Sequence, residues 1–280
     1  MSPFTPIAIM ARVTLREAAR RRILWTALIA AVLLLVVFAV ALHLQVLEFQ
    51  GRPMSPFVRY QVESGMLMVG LYTCALLAVV MTILTSIDTI AGEISSGTIH
   101  AIATKPIARW QLMSGKFIGF AIMIVAYVAL TFAGTVAVAY AVTGVLPENP
   151  MAGYLLITGE CILVLAVTFL LGSWFPTLTA GVLAFGLQGV AFMGGWLEQV
   201  SGFSQSEHIV TLGVITSLIM PTESLWRRAA YLMQTPLAAS LSFSPFANVS
   251  IPSGAAVIYA SVFAVAVFAA ALWRIRTRDL

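Results

Sequence analysis

The chain has 280 residues, of which 60% are hydrophobic and 9% charged, and its mean hydropathy is +0.99. A water-facing surface needs about a quarter of its residues charged, so a soluble globular enzyme is excluded. The net charge of +4 does not point to nucleic acid, because arginines in a membrane protein mostly mark its cytoplasmic flanks. Apolar runs of about 20 residues suit helices that cross a bilayer, whereas barrel strands would alternate in segments of about 10. The fold class is therefore all-α integral membrane, with one transmembrane domain over residues 1–280.

Residues 3–22 read as an amphipathic interfacial helix. At 3.6 residues per turn Ile7, Ala11, Thr14, Leu15 and Ala18 share one face, and Arg12, Arg16 and Arg20 line the other. Arg20, Arg21 and Arg22 precede an apolar stretch containing Ala39-Val40-Ala41, which has the look of a secretory leader. That stretch exceeds the 7–15 residues of a leader core, so it is read as a retained first span. Six spans are expected, at about 23–43, 66–87, 117–143, 154–175, 178–197 and 254–273. Trp25 and Trp273 stand at span ends, where amphipathic rings prefer the interface.

Lysine and arginine then set the orientation. Arg12, Arg16, Arg20, Arg21, Arg22, Lys105, Arg109, Lys116, Arg274, Arg276 and Arg278 fall on one side. Arg52, Arg59, Arg227 and Arg228 fall on the other. Both termini are accordingly expected in the cytoplasm, with the protein in the inner (cytoplasmic) membrane. Two connectors are large. Residues 88–116 are expected on the cytoplasmic side, and residues 198–253 form an external connector with prolines at 221, 236, 245 and 252. Its apolar run Ile209–Met220 is too short to span, but suits a re-entrant or surface-lying helix.

Catalytic chemistry is not expected in this chain. Gly115-Lys116 superficially resembles a phosphate loop, but Trp110 and Phe117 occupy positions that need Gly and Ser or Thr. His43, His100 and His208 make no paired ligand spacing and no intramembrane Ser–His pair. Cys74 and Cys161 lie inside apolar runs and form no disulfide framework. Met66, Met68 and Cys74 could serve as soft metal ligands but are also ordinary packing residues, and no metal site is expected.

Glu160 is the acidic residue placed well inside a span, about 10 Å along the helix from Gly153. Intramembrane carboxylates are costly and commonly mark a substrate or proton path. The alternative is a side chain that only reaches the nearby interface or a water-filled vestibule. Glu160 and Gln188 are taken as candidate substrate-path residues. Small residues form stripes at Ala256, Ala260 and Ala264, and at Ala180 and Ala184 beside Gly181, Gly186 and Gly189. Such stripes allow close helix packing, within one subunit or at a dimer seam.

The most informative text is GEISSGTIHAIATKPIARWQLMSGKFIGF, residues 92–120. The second span should continue to about Glu93, and a short apolar segment, Thr98–Ala103, follows Gly97. Pro106, suited to a first helical turn, then opens a helix carrying Arg109 and Lys116 into the third span. Glu93, Gly97, Thr98, Lys105, Pro106, Arg109, Gly115 and Lys116 occur in the order seen in the permeases of type-2 ATP-binding-cassette exporters. The chain resembles that family over most of its length, in topology as well as motif. Within it the text looks most like the permease of the nitrous-oxide-reductase maturation exporter group, although that group's substrate does not transfer.

The resemblance implies a non-catalytic permease subunit whose 88–116 connector acts as a coupling helix. The partner would be a separate cytoplasmic ATPase that binds ATP and Mg, with Ile99 and Ile102 on the docking face. It also implies two permease copies, a homodimer, around a central path lined partly by the second and fifth spans. The rival class is an ion-coupled secondary transporter or channel using Glu160, but such proteins often carry inverted repeats, and none is visible. A single cysteine introduced at Ser204 should react with an impermeant thiol reagent added outside intact cells. Labelling only after the cells are opened would overturn this topology.

Overall fold

The computed structural model describes residues 4–20, 22–50, 55–95, 108–204, 207–234 and 252–277. Among the described residues the chain forms helices and no strand. They are α1 (Phe4–Arg20), α2 (Arg22–Gln50), α3 (Pro56–Ser95), α4 (Arg109–Thr143) and α5 (Pro150–Trp174). After these come α6 (Thr177–Ser204), α7 (Glu207–Ile219), α8 (Thr222–Met233) and α9 (Gly254–Thr277). Six of them, α2 to α6 and α9, are long and apolar enough to cross a membrane.

Each predicted span lies within one of these helices, give or take a residue at its end, but several helices extend well beyond it. α3 starts at Pro56, ten residues before the apolar run, because its polar flank continues the helix. There Arg59 Nε donates to Glu63 Oε1 at 2.8 Å, one turn on. An i,i+4 pair of this kind supports a helix locally. α4 ends at Gly144, whose φ of +75° is left-handed and suits glycine, and its N–H donates to Tyr140 O at 2.9 Å. Pro150 opens α5 in the first helical turn, where no backbone N–H is needed.

The centre of the bundle is α3, α4 and α5. Leu71 and Cys74, Ile124 and Val128, and Cys161 and Leu165 are buried there. Several hydroxyls inside the spans are satisfied within their own helices: Thr82, Thr131 and Thr168 donate to the carbonyls four residues back at 2.7–2.9 Å. That removes the cost of a bare polar group in an apolar interior. α2 leans on α3 and α4, where Tyr127 OH donates to Ala27 O at 3.0 Å. α9 packs on α5, and the Phe117 ring of α4 lies 4.0 Å from Phe268 and 5.3 Å from Phe169.

The face of α1 read from the sequence is the face that is buried, with Ala11, Thr14 and Ala18 enclosed. It rests on the beginning of α4. A Cβ on Gly115 would stand 2.5 Å from Met10 Cβ and 2.8 Å from Ile7 O. One on Gly119 would stand 2.8 Å from Thr14 Cβ and 2.9 Å from Ala11 O. Gly115 and Gly119, four residues apart, therefore make a small-xxx-small crossing that brings two backbones together. Ile9 and Val13 on the other side stay exposed, as suits a helix lying at a lipid surface.

The apolar run of the large connector becomes α7, which folds back along α6. It turns at Met220 and Pro221, both buried, into α8, which packs mainly on α5. Gly194 leaves room for Thr216 of α7, Gly195 for Glu223 of α8 and Gly153 for Met233 at the far end of α8. Glu148 N–H and Asn149 Nδ2 donate to Met233 O and Leu232 O, both at 3.1 Å. Tyr259 OH donates to Leu218 O at 2.7 Å and ties the hairpin to α9.

Replacing Gly119 by Leu should lift α1 off α4, because the atoms in the way include backbone. Overpacking of this kind costs about 1–3 kcal/mol. Trypsin should then cut at Arg12, Arg16 or Arg20 much faster than in the unaltered protein, with the six spans still folded. An unchanged cleavage pattern would contradict the crossing.

Candidate functional site

A cavity of about 280 Å³ lies between α3, α5, α6 and α8. The second span contributes Tyr72, Ala75, Leu76, Val79 and Val80, and the fifth contributes Phe185, Gln188, Gly189 and Phe192. Glu160 enters from α5 and Glu223 from α8. The structure thus brings Glu160 and Gln188 together at one site, although they stand on different spans. Glu160 lies ten residues past Pro150, about 15 Å along the helix, and the cavity is partly open, since Leu76, Phe185 and Phe192 of its lining are exposed.

Each wall is placed for a local reason. Tyr72 is held by its ring, 4.9 Å from Trp226 and 6.4 Å from Phe192 between centroids. Glu223 can lie against α6 because Gly195 carries no side chain. Glu160 and Gln188 are both buried, and Glu160 Oε2 and Gln188 Oε1 meet no hydrogen-bond donor among the described residues. Unmet acceptors in an apolar setting are costly, about 1–3 kcal/mol each, and are uncommon in native structures. The arrangement is an apolar chamber with a few convergent oxygens, the usual make-up of a small-molecule site.

Sequence reasoning missed Tyr72 and Glu223. Tyr72 sits in an uninterrupted apolar span and looks like packing. Glu223 belongs to a polar stretch with Arg227 and Arg228 that reads as an external loop. The Gly194-Gly195 pair in the fifth span was the available sign that something packs there closely. Of the small residues, Ala180, Ala184 and Ala260 are buried within the subunit. Gly181, Gly186 and Gly189 meet nothing among the described residues within 4 Å of a built Cβ, and Gly189 borders the cavity.

Met68 and Cys74 are buried in the core, with Cys74 turned to the Thr131 and Thr135 hydroxyls of α4. Among the described residues no group of three or more His, Cys, Asp or Glu side chains is placed to hold a metal ion.

The second candidate site is the connector. Glu93 falls in the last turns of α3, which runs to Ser95. Gly97, Thr98, Ile99, Ile102, Lys105 and Pro106 lie outside the described residues. Arg109 opens α4 and is exposed, with Ala108 N–H donating to Gln111 Oε1 at 3.1 Å across the first turn. Lys116 is buried beside Gly115, where α1 crosses. Arg276 stacks over Trp110 at 5.8 Å and Arg274 over Trp174 at 5.5 Å, so the last helix adds its cations to this end of the bundle.

A search among curated proteins finds no match. The family described as ABC-2 family transporter protein matches residues 18–195, which take in the first five spans, the 88–116 connector and the α3, α5 and α6 walls of the cavity. The chain therefore belongs to the ABC-2 transporter family and is a multi-pass membrane subunit of an ABC transporter, a family whose members partner an ABC ATPase.

Proposed function

We propose that this subunit works in export: its 88–116 connector seats in a separate cytoplasmic ATPase, and its cavity forms part of the substrate path. The observation that carries this reading is the continuity of α3. Tyr72 to Val80 of this helix wall the cavity, and the same helix runs unbroken to Ser95, inside the 88–116 connector. From Val80 to Ser95 is about 22 Å at 1.5 Å per residue. A push on the connector therefore reaches the cavity wall through one hydrogen-bonded rod. The far end of the connector joins α4, which α1 clasps at Gly115 and Gly119.

Within the connector, Glu93 passes the load to the span, and Gly97 permits the turn that presents Thr98–Ala103. Ile99 and Ile102 supply the apolar docking face, and Lys105, Pro106 and Arg109 set the return helix. ATP and Mg bind in the partner, and this chain performs no catalysis of its own. Replacing Ile99 and Ile102 together with Asp should leave the six spans folded but release the ATPase. Two buried side chains at roughly 1.5–3 kcal/mol each correspond to about a hundredfold or more in docking affinity. A double variant that still copurifies its ATPase and transports normally would overturn the coupling assignment.

Two copies of the chain complete the path. Support comes from Gly181 and Gly186, which meet nothing among the described residues where a Cβ would stand and so leave α6 room to approach another helix closely. Mass measurement in nanodiscs should give two permease chains per complex. A complex with one permease chain and no second membrane subunit would exclude the dimer.

A further inference from the structure

Around the cavity, two acceptor atoms have no donor among the described residues. Glu160 is 4% exposed and Gln188 is 9% exposed, and Oε2 of the first and Oε1 of the second lack partners. They stand on different helices, yet line one chamber together with the carboxylate of Glu223. The chamber therefore presents unmet oxygen acceptors from two elements, α5 and α6. Among its described lining residues there is no Lys, Arg or His. Arg227, one turn beyond Glu223, lines a separate cleft with Pro252 and Tyr259. What this chamber needs is a molecule that brings hydrogen-bond donors and positive charge.

The remaining wall decides which kind. A bare hard cation gathers six or more oxygens, and these walls are largely apolar. The volume of about 280 Å³ exceeds one ion and sits near the small end of the range for small-molecule sites. Phe192, Tyr72 and the Trp226 ring behind it form an aromatic side, and ring faces attract a cation further.

We propose that the cavity binds a small organic ammonium ion. Its N–H donors are directed at Glu160 and Gln188, and its apolar body lies along Val79 and Phe192. As a statement about cargo this rests on the substrate-path reading; as a statement about binding it does not.

The test uses the full chain in nanodiscs, without nucleotide, titrated calorimetrically with hexylammonium, hexanol and hexanoate. These three share an apolar body and differ in head group. Hexylammonium should bind at least about tenfold more tightly than hexanol, the usual advantage of a hydrogen bond to a charged group, and hexanoate should not bind. Glu160→Gln should weaken hexylammonium at least about tenfold and leave hexanol nearly unchanged. Equal binding of the amine and the alcohol, binding of hexanoate, or an unaffected Glu160→Gln would overturn the proposal. Displacement of hexylammonium by equimolar calcium would overturn it too, by making the chamber a metal site. The head-group comparison needs no variant, so a poorly folded Glu160→Gln does not spoil the test. Loss of binding with the ATPase still copurifying sinks only this proposal; release of a normal ATPase contact with binding intact sinks only the coupling reading.

Discussion

Helix α8 is too polar to be stable in hydrocarbon and too enclosed to be a surface loop. Thr222 to Arg227 are all buried, including Glu223 and Arg227. Charged groups at such depth must be surrounded by protein, and the surrounding helices must come close enough to exclude lipid. Missing side chains make that approach possible, at Gly194 and Gly195 on α6 and at Gly153 on α5. The cavity follows from this docking. It sets Glu223 on the same chamber as Glu160 and holds Trp226 against Tyr72, which shapes the aromatic wall. Irregular backbone at Met220 and Pro221 is tolerated for the same reason, since protein encloses it.

The six spans were legible because each satisfies a length requirement that the bilayer imposes on apolar text. Their ends were less so. α3 and α4 continue through Arg59, Glu63, Arg109 and Lys116, where charge pairing, cation–π stacking and helix packing replace hydropathy as the reason for helix. Glu160 and Gln188 stood out as polar groups in apolar runs, and they meet at one cavity. Glu223 could not be read this way. Its burial depends on a tertiary contact with Gly195, about thirty residues away in sequence, which no local pattern encodes. Gly115 was legible only as part of a family motif, whereas its contact with Met10 and Ile7 supplies the physical reason.

α3, α4 and α5 interlock through buried residues and ring contacts, and α2 and α9 are fixed to them by Tyr127 and by Phe117. The hairpin of α7 and α8 joins the same core through Leu225, Trp226 and Met233, and adds glycine seats and hydrogen bonds at Glu148, Asn149 and Tyr259. One wall of the cavity thus comes from the central helices and another from this hairpin.

The two thiols carry a separate consequence. Cys74 and Cys161 are fully enclosed where α3, α4 and α5 meet, away from water and from lipid. A reagent cannot reach either sulfur until those helices part, because reactivity requires access. Alkylation of the native cysteines therefore reports opening of the innermost three-helix packing, its rate scaling with how often that packing opens.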